Sequence, residues 1–378
     1  MAVIRSSIAC NLESNVLAAS IPLFESERVQ AIEWSFDTLY QQEQLPEWFI
    51  ELLTAFGREN RLIGHGVFFS LFSGKWLPQQ QEWLVWLNAV SNQYTFDHIT
   101  EHFGFLTGKD FHRGAPLSVP FTASTLALGQ DRLRRLQHAC QCPVGLENLA
   151  FAYTPDDVKM HGEFLNRLLE PVNGFIILDL HNFYCQLHNF NLAVDELLRL
   201  YPLDRVREIH LSGGSWSESL SKPEQKIRRD THDGAVPASV FELLETAIPL
   251  CPNLRYVVLE QLGVSLATET SRAQFQRDFF RMDAIIRACE QQRNKTDLQL
   301  FSPGFLFNFD QTPIEDDDLH EQQRELSQIL ESADDYQQAA DQLAKSSLAN
   351  SDWHIELWEP HMLETAIAIA RKWKNGFT

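Results

Sequence analysis

From the N-terminus to about residue 290 the chain alternates short apolar runs with longer runs in which apolar residues recur every three or four positions. The short runs predict strands near 7–13 (SIACNLE), 30–36 (QAIEWSF), 61–69 (RLIGHGVFF), 95–103, 143–150, 174–181, 206–212 and 255–261. The longer runs PEWFIELLTAFGREN, QQQEWLVWLNAVSNQ, PDDVKMHGEFLNRLLE, NLAVDELLRLYP and PASVFELLETAIPLC predict amphipathic helices between them. Strands alternating with helices build a parallel sheet covered by helices, and about eight such strands close a TIM barrel. The expected fold class is therefore α/β, a (β/α)8 barrel.

Beyond about residue 302 the pattern changes. SPGFLFNFDQTPIEDDD is rich in Pro, Gly and acids, and the runs LHEQQRELSQILES, DDYQQAADQLAKSS and EPHMLETAIAIARKWKN read as helices with no strand between them. The expected organisation is a catalytic barrel over 1–301 and an acidic connector with a C-terminal helical appendage over 302–378. Its simplest role is padding the barrel or a dimer contact, and docking a partner or substrate is the alternative.

With 44% hydrophobic residues in 378, the chain can bury one large core. Its net charge of −20 argues against a nucleic-acid partner, because gripping phosphates takes Lys and Arg. Asp131-Arg132-Leu133-Arg134-Arg135 has the spacing of a solvated helix face. The six cysteines are too sparse for a disulfide scaffold, and Cys140 and Cys142 lack a second pair at zinc-ribbon spacing. No stretch approaches the roughly 20 apolar residues of a membrane span, and the N-terminus has no apolar signal-like core. A cytoplasmic protein is expected.

The candidate chemistry sits at strand ends. His65 lies in GHG, His102 in EHFGF, Glu147 in LENLAF, Asp179 in LDLHN, His210 in EIHLSGG and Glu260 in VVLEQLG, with Asp230 and His232 in a DTHDG loop. A barrel converges residues from many strand ends on one mouth, so this set reads as a multinuclear metal site. Glu147 and Glu260 each follow an apolar run, where an unpaired carboxylate carries a desolvation penalty of several kcal/mol, so something cationic must stand opposite. Salt bridges and histidines bonded to carbonyls are the bland alternatives, but few Lys or Arg occur at the other strand ends. His98 shares a face with His102 deeper in its strand and reads as a satisfied core histidine. Asn182, three residues after Asp179, adds an amide, while His181, His188 and Asn189 are supporting or substrate-facing at most. Imidazoles and carboxylates without a thiolate suit Fe(II), Mn(II) or Zn(II).

Taken in order, HGV, EHFGF, LENLAF, LDLHNFY, EIHLSGG, DTHDGAV and VVLEQLG, spanning about residues 30 to 265, resemble the multinuclear non-haem iron-dependent oxidative enzymes, a family related to the iron enzyme of methanobactin biosynthesis. The resemblance implies a xylose-isomerase-like barrel holding two or three irons, mixed Fe(II)/Fe(III), with dioxygen as co-substrate. Carried over motif by motif, His65 and His102 would share one iron with Glu147. Glu147 would bridge to a second iron held by Asp179, His210 and Glu260, and Asn182, Asp230 and His232 would form a third, labile position. His65, Glu147, Asp179 and His210 would be the catalytic residues. The implied substrate is a ribosomally made precursor peptide, modified at cysteine, with a small peptide-presenting protein as partner. The chain departs from the family pattern twice, with His181 where that pattern has Asn, and Gly214 where it has His.

Three other readings compete. A zinc-dependent endonuclease on the same barrel would need a basic DNA-facing surface, which the charge disfavours. Sugar isomerisation typically needs a lysine, and Lys109 is the lysine near a motif. A barrel that binds metal or peptide without turnover is the third.

Overall fold

The computed structural model describes residues 3–40, 45–107, 114–292, 301–303 and 312–374. Eight parallel strands pair in chain order: β1 (Arg5–Ala9), β2 (Ala31–Trp34), β3 (Leu62–Gly66), β4 (His98–His102), β5 (Val144–Glu147), β6 (Phe175–Asp179), β7 (Val206–Leu211) and β8 (Tyr256–Leu259). β8 pairs with β1, so the barrel is closed. Seven of the expected strand runs contain one of these strands; β1 starts two residues before the run 7–13 and ends at Ala9, and all eight strands are shorter than expected. The run 174–181 stops at Asp179 because Leu180 already opens a helix.

The helices of the barrel are α1 (Ser14–Glu25), α2 (Glu47–Arg58), α3 (Pro78–Gln93), α4 (Ala123–Cys140), α5 (Pro155–Leu169), α6 (Leu180–Phe190), α7 (Val194–Leu198), α8 (Ala238–Ala247) and α9 (Glu269–Gln292). Four of the five expected runs are full helices, and NLAVDELLRLYP yields only the short α7. Starts are set by local chemistry: Thr154 caps α5 by accepting from Asp157 N while the Asp157 carboxylate accepts from Thr154 N, and Pro155 fills the first turn.

The apolar layer between strands and helices forms one large cluster, including Trp34, Phe49, Phe72, Leu133 and Leu165. Inside the barrel a small apolar cluster of Ala31, Ile63, Tyr256 and Val258, with Ala9 against them, is accompanied by Phe175, against the His98 ring, and Ile177. Glu33, His98, Thr100, Glu208 and His210 are also buried.

The expectation of a solvated face at Asp131–Arg135 is overturned. Asp131, Arg132 and Arg135 are buried on α4, where both guanidinium groups bond the Asp131 carboxylate and lie over the Trp76 ring at 4.7 and 5.1 Å. Arg132 Nη2 also donates to Ile314 O at 2.8 Å, pinning the chain that leads into the C-terminal helices. The charges at this spacing answer one another and a tryptophan rather than water. The cysteines are free among the described residues, with Cys140 buried and Cys142 half-buried.

The C-terminal segment is helical as expected: α10 (Asp317–Ser332), α11 (Tyr336–Leu343) and α12 (Pro360–Trp373). It fastens to loops that follow β3, β5 and β7. Gln323 accepts from Gly74 N and donates to Phe72 O, Glu359 N donates to Tyr153 O, and Glu364 accepts from Ser219 Oγ, Leu220 N and Ser221 N. Trp358 stacks on Tyr153 with centroids 3.9 Å apart. These loops belong to the C-terminal face of the barrel, so the extension frames its mouth.

Candidate metal centre

Strand alternation brings the predicted side chains to one place. His65 (β3), His102 (β4), Glu147 (β5), Asp179 (β6) and His210 (β7) occupy inward positions near the carboxyl ends of their strands, and Glu260 directly follows β8. Their ligand-capable atoms form overlapping groups within 4.8 Å: His65–His102–Glu147, Glu147–Asp179–His210, Asp179–His232–Glu260 and Glu33–His210–Glu260. Glu147, Asp179, His210 and Glu260 each belong to two groups. Such sharing is what places metal ions side by side.

The first group is organised by one hydroxyl. His65 Nδ1 lies 2.8 Å from Thr100 Oγ1, which itself donates to Gly64 O at 3.2 Å. Thr100 must therefore accept from Nδ1–H, which leaves the Nε2 lone pair of His65 facing Glu147 Oε2 at 3.4 Å. His102 Nε2 reaches the same oxygen at 3.3 Å. The glycines beside His65 are there for their neighbours: a Cβ on Gly64 would lie 2.4 Å from Ile99 Cδ1, and one on Gly66 2.0 Å from Glu101 Oε2.

Asp179 ends β6 and caps α6, accepting from Asn182 N with Oδ1, while its buried Oδ2 has no hydrogen-bond partner among the described residues. Asn148, which no motif singled out, fixes this corner: its Oδ1 accepts from Asp179 N at 2.7 Å and its amide donates to Asp179 O. Asn182 donates to Glu147 Oε1 and to Asn148 O, both at 2.9 Å, and its own Oδ1 stays without a hydrogen-bond partner among the described residues.

His210 is fully buried among carboxylates. Nδ1 stands 3.4 Å from Glu260 Oε1, and Nε2 stands 3.1 Å from Glu33 Oε2 and 3.5 Å from Glu208 Oε1. None of these contacts has hydrogen-bond geometry, and both nitrogens count among the unbonded buried atoms. His232, at a left-handed φ of 51°, brings Nε2 to 3.0 Å from Asp230 Oδ1 and Nδ1 to 3.6 Å from Glu260 Oε2. Asp230 belongs to none of the four groups; its Oδ1 is shared between His232 and His181, at 3.0 Å each.

The remaining polar residues support the mouth. His181 Nε2 accepts from Arg228 Nε at 3.0 Å, and Asn189 exchanges hydrogen bonds with the Arg228 backbone. His188 bonds Lys226 O. The two departures from the family pattern meet here: a Cβ on Gly214 would lie 2.8 Å from His181 Cε1 and 2.2 Å from Arg229 O. His98 is satisfied in the core, with Asp97 and Glu208 each 2.8 Å from its ring nitrogens. Lys109 lies outside the described residues. Sequence reasoning missed Glu33, although an acid within the apolar run AIEW is the same signal that marked Glu147 and Glu260.

Burial and mutual charge sort these groups. Burial raises Glu33 and Glu147 well above the ordinary carboxylate range, and burial together with the Asp230 charge takes Asp179 to about 7. Burial lowers His65 well below its usual value and His102 to about 4, so both imidazoles keep a free lone pair. His210 and His232 go the other way: burial would lower them, but Glu260 and Glu33 outweigh it at His210, and Asp230 at His232. Burial opposes ionisation of Glu260 and Asp230 too, yet the His210 and His232 charges pull them down. Protons thus sit where cations would otherwise sit. Orphaned donor atoms on buried carboxylates, an amide and imidazoles, with no thiolate among them, fit a borderline metal such as iron.

A closed parallel barrel with these donors at its carboxyl mouth defines a TIM barrel with a candidate metal centre. Residues 29–263 match the family model of the RiPP precursor modification enzymes MbnB/TglH/ChrH, and the chain belongs to that family. RiPPs are ribosomally synthesised, post-translationally modified peptides. The chain is 25% identical over 209 residues to a UPF0276 protein of Shewanella loihica, covering 53% of this chain and 72% of that one. It is 29% identical over 218 residues to a UPF0276 protein of Haemophilus influenzae, covering 52% and 70%. Among solved structures it is similar to a xylose isomerase-like TIM barrel protein from Mycobacterium smegmatis, at a TM-score of 0.46 and 12% identity over 74% of this chain and 97% of that one.

Proposed function

We propose that this protein is a multinuclear iron-dependent, dioxygen-using oxidase that modifies a ribosomally synthesised precursor peptide at cysteine. The observation that carries this reading is the sharing of Glu147, Asp179, His210 and Glu260 between neighbouring donor groups, since a lone ion needs no such overlap. His65, His102 and Glu147 would hold one iron, and Glu147, Asp179, His210 and Glu260 would hold a second. Asn182, Asp230 and His232 serve a third, weaker position. Its weakness follows from Asp230, whose Oδ1 is already taken by two imidazoles.

When bound, iron would supply the redox chemistry that relays electrons from the peptide, which is oxidised, to dioxygen, which is reduced. The chain's own residues set the stage. Thr100 fixes the His65 tautomer, Asn182 holds Glu147 by one oxygen, and Asn148 locks the β5 and β6 ends so that Glu147 and Asp179 keep their spacing. The deep burial of these groups keeps bulk water away from the reacting atoms. A cysteine thiolate is itself a good iron ligand, which suits a peptide thiol as the group brought to the mouth. The matching peptide-modification family supports this substrate class, and a small peptide-presenting protein is the proposed partner in the cytoplasm. No helix among the described residues is long and apolar enough to cross a membrane.

The test is aerobic incubation of the Fe(II)-loaded protein with a cysteine-containing peptide encoded beside its gene. Oxygen uptake with a shifted peptide mass is expected. An unchanged mass without oxygen uptake, in protein shown to carry its iron, would leave a binding barrel without turnover.

A further inference from the structure

The interior of a TIM barrel is ordinarily filled with layers of branched apolar side chains. In this barrel a column of ionisable side chains runs from the metal centre toward the opposite face. Below His210, Glu208 Oε2 meets His98 Nε2 at 2.8 Å, and His98 Nδ1 meets Asp97 Oδ2 at 2.8 Å. Arg207 Nη2 donates to that same Asp97 oxygen at 2.6 Å. Glu33, His98, Glu208 and His210 have 0% exposure and Arg207 has 5%.

Two features mark the column as built. The β6–β7 register slips between Ile176, which faces Val206, and Ile177, which faces Glu208, so Arg207 is the extra residue of a bulge. The bulge accompanies a second basic side chain within reach of Asp97 from the next strand end, Arg255 at 3.8 Å. The second feature is cost. Desolvating each charged group is unfavourable, and apolar residues of similar volume commonly fill such a space with equal or greater stability.

We propose that Glu208, backed by His98, Asp97 and Arg207, is a positioning residue for the centre: with Glu33 it stands behind the Nε2 edge of His210 as the acceptor for Nε2–H once a metal takes Nδ1, on the Glu260 side. This rests on reading the mouth as a metal centre. Glu33 faces Ile63, one inward position below His65 on the neighbouring strand, so both carboxylates on the Nε2 edge come from beneath the strand-end layer. Glu260, on the Nδ1 edge, comes from just beyond β8. A carboxylate behind a metal-bound imidazole fixes its tautomer and raises its basicity. His65 is given a neutral hydroxyl for the same purpose, so His210 is the stronger donor of the two.

The direct test is a long-range proton–nitrogen correlation spectrum of Zn(II)-loaded protein carrying 15N-histidine, with His210 assigned from the His210→Asn spectrum. Nε2 protonated and Nδ1 metal-bound is expected; metal on Nε2 overturns the proposal. In parallel, Co(II) is titrated into wild type and Glu208→Gln. Affinity falling roughly 10–100-fold with a shifted visible band is expected of the folded variant. If Glu208→Gln does not fold, Asp97→Asn tests the far end of the column, and the same direction of change is expected. A folded variant with wild-type Co(II) affinity and spectrum overturns the positioning role alone. A wild-type protein that takes up neither Zn(II) nor Co(II) overturns the metal centre itself.

Discussion

Asp179 closes β6, caps α6 and faces the centre with a buried oxygen that has no hydrogen-bond partner among the described residues. Its pKa of about 7 in the folded, metal-free protein stands above its unfolded value of roughly 3.9. Between these values the folded state binds the proton that the unfolded state has released, so stability falls as pH rises, by at most about 1.4 kcal/mol per unit. Asp179→Asn keeps the cap and removes the titration. In metal-free protein it is expected to stabilise progressively from pH 4 to pH 7 and to change little below pH 4, as chemical denaturation at several pH values will show. Metal loading should reverse this preference, since Asn cannot supply the charge. Glu147→Ala is expected to lower bound iron by more than one site's worth, and elemental analysis showing full iron in that variant would remove the bridging role. The charged strand ends were legible because an acid or imidazole that follows an apolar run is buried and must find a partner, whether a metal or an ion pair. Glu208 was not: it precedes His210 by two residues and faces inward with it, and only the closed barrel shows that its partner is His98, from β4.

Among the elements, the eight strands were readable from apolar runs because each is buried on both faces, whereas their ends were overestimated. Local capping chemistry decides the ends, as at Asp179, and the apolar pattern does not record it. α4 shows the opposite failure. Its Asp131–Arg135 run looks like a solvated face by composition, yet Trp76 and Ile314, distant in sequence, cover it. Arg132→Met retains bulk but loses the bonds to Asp131 and Ile314 O, and is expected to cost about 1.5–3 kcal/mol in denaturant unfolding. A solvated Arg would cost almost nothing.

At the scale of the molecule, the C-terminal helices bind loops that follow β3, β5 and β7 and so shape the approach to the centre. Their helical character was legible, but not where they would lie, because that depends on single polar contacts such as Glu364 with Ser219–Ser221. Glu364→Ala should free that loop without touching the donors. With a precursor peptide as substrate, KM is expected to rise several-fold with bound iron unchanged, and kcat should move less than KM. An equal fall in kcat and iron content would place Glu364 in the centre's own support.

The central claim is that the mouth holds neighbouring irons rather than one. Mössbauer spectroscopy with elemental analysis on freshly purified, 57Fe-grown protein tests it most directly. Two or three irons per chain, with the signature of antiferromagnetically coupled ferric ions beside Fe(II), are expected. One iron per chain with the spectrum of an isolated ion, or a centre filled with zinc alone, would contradict it.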